Sequence, residues 1–154
     1  MARLLVDTNI LCLLAVGRLG REQIAKHRRL RAYTAADFDL LLRAISHFSA
    51  IVTTPHVLAE ASNLLRQTPE PLATTATLSL AELLAGVDER MTPAISLVQR
   101  GEYPRLGLAD SAILDALDED CRLISADLDL YLASEAAGFP AINFNHLRDG
   151  AAQL

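Results

Sequence analysis

Short apolar runs, separated by stretches with helical periodicity, occur along the whole chain. The runs cover residues 3–6, 50–53, 121–125 and 141–144. Strands that are separated by helices pair in parallel, because the helix carries the chain back to the starting edge of the sheet. The pattern therefore predicts an α/β fold, a three-layer α/β/α sandwich with a mostly parallel central sheet.

Helix-start signals mark several stretches between these runs. Thr34 with Asp37 is a variant capping box, and Thr54-Pro55 places an N-cap residue before a proline at the first helical position. Thr92-Pro93 repeats the second signal. We predict helices over residues 10–16 (capped by Thr8 or Asn9), 34–48, 54–68, 72–85, 92–99, 108–117 and 128–137, with a loop at 101–107.

Length and composition favour one domain with a substantial core. The chain has 154 residues, of which 51% are hydrophobic. A chain of this length buries about 68–70% of its unfolded surface. We expect a single domain over residues 1–154, with a basic helical or loop insertion at about 18–33. The insertion holds six of the 14 basic residues of a chain with net charge −5, namely Arg18, Arg21, Lys26, Arg28, Arg29 and Arg31.

Cysteine and histidine usage favours an intracellular protein. Cys12 and Cys121 fit neither a disulfide framework nor a zinc-ligand spacing, and the four histidines have no metal-ligand spacing. Asp7 interrupts the first apolar run before a secretory signal could form, and every apolar run is shorter than the ~20 residues that cross a bilayer. We expect a cytoplasmic protein with no membrane association, in which the cysteines are buried and the histidines are surface or cap residues.

Four acids stand beside apolar or small residues where an α/β fold builds its sites. Asp7 follows the first apolar run and Asp127 comes two residues after the third, so both belong to the carboxyl edge of the predicted sheet. Glu60 falls in the second turn of the helix opened by Thr54, and Asp110 falls in the first turn of a later helix. Gathered carboxylates raise one another's pKa, and a hard divalent cation relieves their repulsion. The four acids predict a Mg²⁺ or Mn²⁺ site that activates water against a phosphodiester.

The segments around these acids resemble the PIN-domain nucleases, a family that includes the toxins of VapBC-type toxin–antitoxin pairs. In that family an Asp ends the first strand, a Glu lies in a middle helix, an Asp opens a later helix and a last Asp follows a strand. LLVDTNIL matches the first element with Asp7, and TTPHVLAEASNLL matches the second with Glu60. LGLADSAILDAL matches the third with Asp110, and LISADLDLY matches the last with Asp127. The resemblance covers nearly the whole chain.

The resemblance implies a Mg²⁺- or Mn²⁺-dependent endoribonuclease that cuts single-stranded RNA, leaves 5′-phosphate and 3′-hydroxyl ends and forms a homodimer. It also implies that the four acids are the catalytic metal ligands and that Thr8, Asn9 and Ser125 assist them. The toxin members of the family imply an antitoxin protein as a partner. Two further acids, Asp115 and Asp129, trail the stronger candidates and are either outer contacts of the metal or solvated acids.

The basic insertion offers a surface for RNA phosphates. Its alternatives are contact with the acidic segment of an antitoxin, or with water alone. Aromatic stacking partners are scarce, with Tyr33 and Tyr103 the nearest candidates, so sequence-specific readout is not predicted.

Three other functions compete with the toxin ribonuclease. A stand-alone RNA-processing nuclease would use the same chemistry, and a PIN-like scaffold would bind RNA or protein without cutting. Phosphotransferases of the receiver or haloacid-dehalogenase type also place an Asp after the first strand. The receiver type needs a late lysine, but Lys26 is the only lysine; the dehalogenase type needs a second Asp where this chain has Asn9.

Overall fold

A parallel sheet forms the centre of the structure. The structure is a computed structural model that describes residues 1–152, so the last two residues of the predicted domain lie outside the described part. The sheet strands are β1 (Arg3–Val6), β2 (Ile51–Thr53), β3 (Val87–Glu89), β4 (Cys121–Ser125) and β5 (Ala141–Asn143). Every neighbouring pair is parallel, in the order β3-β2-β1-β4-β5. Helices flank this sheet, and the predicted three-layer α/β/α fold is confirmed.

The helices of the described residues alternate with the strands. They are α1 (Thr8–Gly17), α2 (Arg21–Ile24), α3 (Ala35–Ile45), α4 (Pro55–Leu65), α5 (Leu72–Leu83), α6 (Ala94–Leu97), α7 (Tyr103–Leu106), α8 (Leu108–Ala116), α9 (Leu128–Ala136) and α10 (Phe144–Ala152), with 3-10 turns at Arg28–Leu30 and Leu84–Gly86. Two predicted caps are confirmed. Thr34 and Asp37 form a complete capping box on α3, and the Thr54 side chain accepts a hydrogen bond from the backbone N–H of Val57 at the start of α4.

Several predicted boundaries are wrong. Thr92 does not cap a helix, because its hydroxyl donates to Asp115 Oδ2 at 2.6 Å, and the helix that follows is only the four-residue α6. The predicted loop 101–107 contains α7, and neither β3 nor α10 was expected. Asp7, not Thr8 or Asn9, caps α1, because the Asp7 carboxylate at the end of β1 accepts a hydrogen bond from the Ile10 N–H.

Helix α1 lies in the core. All its residues except Asn9 are buried, and it packs against α2, α3, α4 and α5. Gly17 allows the close approach to α3, since a Cβ at this position would stand 2.2 Å from Cδ2 of Phe38. The core holds α1 rigidly, so the residues at its amino end have fixed positions relative to the sheet.

His27 is a buried cap rather than a surface residue. It is 0% exposed and precedes the 3-10 turn Arg28–Leu30. Nδ1 accepts a hydrogen bond from the Arg29 N–H, so Nε2 donates to the carbonyl oxygen of Leu65 at 2.9 Å. Burial lowers the pKa of the His27 imidazole and so favours the neutral ring. The neutral ring joins the basic insertion to the end of α4 through its hydrogen bond to Leu65.

The strand order places the carboxyl ends of β1 and β4 at the topological switch point, where open α/β sheets bind ligands. Asp7 directly follows β1, and Ser125 is the last residue of β4. The order also differs from the 2-1-3-4-5 order of receiver domains, which weakens the receiver alternative. No helix in residues 1–152 is long and apolar enough to cross a membrane.

Candidate active site

Asp7 is the most buried of the predicted site acids, at 5% exposed. Its Oδ1 accepts from the Ile10 N–H at 3.0 Å, while Oδ2 accepts from the Ser125 hydroxyl at 2.5 Å and the Ala126 N–H at 3.1 Å. Burial raises the pKa of Asp7, the three hydrogen bonds oppose that rise, and the charge of Asp127 adds to it. A buried carboxylate thus lies at the switch point with donors on both oxygens.

Ser125 connects Asp7 with the loop that carries Asp127. The serine side chain is fully buried, and its hydroxyl donates to Asp7 while accepting a hydrogen bond from the Asp127 N–H at 2.9 Å. The Asp127 carboxylate caps α9 by accepting from the Leu130 N–H at 3.1 Å, and the residue is exposed. The Ser125 hydroxyl, predicted to assist the acids, therefore connects the Asp7 carboxylate with the backbone of Asp127.

Asp110 is the residue on which the like charges converge. It lies in the first turn of α8 and is half-buried. Burial and the negative charges of Asp127, Asp7, Glu60 and Asp129, in that order of effect, together raise its pKa to about 7. These acids come from separate elements: the end of β1, α4, the cap of α9 and its first turn. The fold brings the four predicted acids, and Asp129 with them, into one electrostatic environment.

Glu60 and Asp129 are the members of this group that, with Asp127, are exposed to solvent. Glu60 also acts on Cys12, whose pKa is raised to about 12 by burial and by the charges of Asp7 and Glu60. Cys12 and Cys121 are both buried free thiols, as predicted.

The acids suit a hard divalent cation by the chemistry of their donors, since every donor is a carboxylate oxygen. In the part of the chain that the structure describes, no three His, Cys, Asp or Glu side chains are grouped closely enough to hold an ion together. Mg²⁺ usually keeps several waters and uses one or two protein carboxylates. Asp7 and Asp110, the least exposed of the four acids, are the residues that would hold such an ion.

Three of the predicted assisting residues make no hydrogen bond to the site acids in the described part of the chain. Thr8 is buried and Asn9 is exposed, and within residues 1–152 neither side chain is hydrogen-bonded to the acids. Asp115 accepts hydrogen bonds from Thr92 and from Arg100, the latter at 3.3 Å, at the far end of α8. This pairing gives Asp115 a structural role in fixing the segment before α8.

The six basic residues predicted to contact RNA divide into two groups. Arg18 donates to the carbonyl oxygen of Ser79 at 3.1 Å, and Arg21 pairs with Asp39 at 2.6 Å. Across the described residues, the other four form no ion pair, and all four are exposed: Lys26, Arg28, Arg29 and Arg31.

Of the six predicted RNA-binding residues, Arg29 is the one whose charge acts on a group that the site acids also affect. Its charge lowers the pKa of Cys12, the same thiol whose pKa Asp7 and Glu60 raise. A free guanidinium therefore shares the surroundings of Cys12 with two of the site carboxylates.

Helix α10 contributes residues near the site that the sequence reasoning missed. Asn145 donates from Nδ2 to the carbonyl oxygen of Ala126 at 3.1 Å, and Arg148 donates to Asn145 Oδ1 at 3.1 Å. A signal was present in the sequence: Asn143, a good N-cap type, precedes the helix, and its Oδ1 accepts hydrogen bonds from the N–H groups of Asn145 and His146.

Comparison with known proteins adds no family assignment: no protein-family model matches the chain, and no curated protein matches it.

Proposed function

We propose that the chain is a Mg²⁺- or Mn²⁺-dependent endoribonuclease that hydrolyses phosphodiester bonds of single-stranded RNA. The observation that carries this proposal is the convergence of negative charge on Asp110, whose pKa rises to about 7 in a half-buried position in the first turn of α8. Carboxylates from separate elements repel one another there, and a divalent cation offsets such repulsion. The resemblance of the four acid segments to PIN-domain nucleases supports the same function.

Asp7 and Asp110 would hold the cation, because they are the least exposed of the four acids. When bound, the cation lowers the pKa of a coordinated water and compensates the charge that develops on the phosphodiester. Ser125 and the Ala126 N–H keep the Asp7 carboxylate in place through their hydrogen bonds. The exposed carboxylates of Glu60 and Asp127 would orient water beside the cation, and one of them would take the proton that the attacking water loses.

The free basic residues would position the RNA strand. Phosphate contacts need exposed cations without acidic partners, and Arg29 meets that condition. Its charge also acts on the Cys12 thiol, as the charges of Asp7 and Glu60 do. Arg18 and Arg21 already bind protein groups, so their contribution to RNA binding is smaller.

The biological setting we propose is the toxin of a toxin–antitoxin pair in the cytoplasm, acting as a homodimer with an antitoxin protein as its inhibitor. A neighbouring gene for a DNA-binding protein with a disordered tail would support this setting. Absence of such a gene would favour a stand-alone RNA-processing nuclease.

A cleavage assay tests the proposal. Purified protein is mixed with end-labelled single-stranded RNA in Mg²⁺, in Mn²⁺ and in EDTA, and the product ends are analysed. We expect cleavage only with the metals, with 5′-phosphate and 3′-hydroxyl ends, and a loss of at least about 100-fold in Asp7→Asn. Asp88→Asn is the matched control, because Asp88 is an exposed acid on edge strand β3 that pairs with Arg3. Undiminished cutting by Asp7→Asn, or cutting in EDTA, would contradict the proposal.

A further inference from the structure

Helix α10 is hydrogen-bonded to the segment that links Ser125 with Asp127. Asn145 Nδ2 donates to the carbonyl oxygen of Ala126 at 3.1 Å, and the N–H of the same Ala126 donates to Asp7 Oδ2 at 3.1 Å. Ala126 therefore lies directly between the Asn145 amide and the buried carboxylate. A shift of Ala126 would remove a donor from Asp7 and move Asp127, which follows it in the chain.

The Asn145 side chain is held at both ends of its amide. Its Oδ1 accepts from Arg148 Nη1 at 3.1 Å, which leaves Nδ2 facing Ala126. The start of α10 is fixed as well, because Asn143 accepts from the Asn145 N–H at 3.0 Å. The amide is thus oriented by protein groups on both sides.

Arg148 is itself held by groups outside α10. Its Nε lies 3.1 Å from Asp37 Oδ1, and its guanidinium carbon lies 4.9 Å from the centre of the Tyr33 ring. A further guanidinium nitrogen donates to the carbonyl oxygen of Ala32. These contacts join α10 to the segment before α3 and to its capping box, so a packed region supports the Asn145 amide.

We propose that Asn145 is a positioning residue of the candidate active site, with Arg148 fixing its orientation. It holds Ala126 so that the Ala126 N–H stays on Asp7 and Asp127 stays beside that carboxylate. This role rests on the proposed function for its catalytic meaning. Residues that support metal-binding carboxylates from behind typically change metal affinity by about 10–100-fold when they are removed.

The test compares Asn145→Ala with Asn63→Ala in the full chain. Asn63 is the matched control, because Arg66, which directly follows α4, donates to Asn63 Oδ1 at 3.3 Å with the same three-residue spacing. Two readouts are measured: amide hydrogen exchange of Ala126 and Asp127 in the metal-free protein, and Mn²⁺ affinity by calorimetry. In Asn145→Ala we expect both amides to exchange roughly tenfold faster and Mn²⁺ affinity to fall roughly tenfold, with wild-type values in Asn63→Ala.

A second variant guards against loss of fold. Asn145→Asp keeps the acceptor for Arg148 but replaces the donor to Ala126 with an oxygen, so it should show the same faster exchange while α10 stays intact. Exchange at Ala126 that is unchanged in both Asn145 variants would overturn the positioning role. If the wild-type protein neither binds Mn²⁺ nor cuts RNA, the proposed function fails, while the exchange data still decide whether Asn145 holds Ala126.

Discussion

Asp7 combines a helix cap with a place in the acid group. A carboxylate offers about four lone-pair directions, and the hydrogen bonds from Ile10, Ser125 and Ala126 use three of them. One direction is left for a cation. A single free lone-pair direction agrees with an ion that takes few protein ligands and keeps several bound waters. The acid type at this position was predictable from the sequence, but its role as the cap of α1 was not, because two better-placed candidates, Thr8 and Asn9, follow it.

Asp110 gives a pH-dependent prediction at the residue scale. Its folded-state pKa of about 7 lies above its ordinary value of 3.8, so the metal-free folded chain holds a proton that the unfolded chain releases. The stability from this proton is present at low pH and is lost as pH rises from 3.8 through about 7. Asp110→Asn removes this loss. We expect the free energy of unfolding of the variant, relative to that of wild type, to increase by about 1–3 kcal/mol from roughly pH 5 to pH 8. Urea unfolding in EDTA measures this difference.

Excess Mg²⁺ supplies the complementary arm of this experiment. Bound cation should stabilise the wild type more than Asp110→Asn, because the wild type has the additional carboxylate. Asp115→Asn is the control acid on the same helix, and its stability should not respond to Mg²⁺ differently from wild type. An Asp110→Asn variant whose stability relative to wild type does not change with pH would show that like charges do not converge on Asp110.

At the scale of elements, the sequence correctly predicted helices whose N-cap side chain has no competing hydrogen-bond partner elsewhere in the chain. Thr54 caps α4 as expected, whereas Thr92 does not cap α6, because Asp115, distant in sequence, takes its hydroxyl. β3 was missed because its three residues, Val87–Glu89, are half-buried or exposed and carry no apolar alternation. These failures share a cause: each depends on a tertiary contact that no local pattern encodes.

The contact between α1 and α3 predicts opposite effects for two glycine substitutions. Gly17→Ala should lower stability by about 1–3 kcal/mol, because the new Cβ would overlap the Phe38 ring. Gly150→Ala in α10 should raise stability by about 0.5–1 kcal/mol, since its Cβ meets nothing within 4 Å and alanine favours the helix. Thermal unfolding of the two variants decides the point. Equal effects at the two positions would mean that α1 and α3 are not in close contact.

The contacts within the basic insertion predict that two of its arginines differ in their contribution to RNA binding. Arg29→Ala should weaken RNA binding and reduce the slope of log affinity against log salt by roughly 0.7, the value for one phosphate contact on a single strand. Arg21→Ala should leave that slope unchanged, because Arg21 is paired with Asp39 and lies over Phe38. Fluorescence anisotropy with a labelled RNA, using Asp7→Asn protein to prevent cutting, measures both slopes. Equal slopes in the two variants would contradict the division of the basic residues.

At the scale of the whole molecule, the order of the strands brings distant acids together. Asp7 and Asp127 are 120 residues apart in sequence, yet adjacent parallel strands β1 and β4 end beside each other. The alternation of strands and helices made this convergence predictable. It could not reveal that Asp115 binds Thr92 and Arg100, that Arg18 and Arg21 are engaged by protein groups, or that α10 reaches the loop before Asp127, since these depend on side-chain packing between elements.

Calorimetric titration of the metal-free protein with Mn²⁺ tests most directly whether the acids form one cation site. The wild type and the Asp88→Asn control should show the same saturable binding. Asp7→Asn and Asp110→Asn should each remain folded and bind Mn²⁺ at least about tenfold more weakly. Absence of saturable binding by the wild type, or equal binding by all four proteins, would contradict the account.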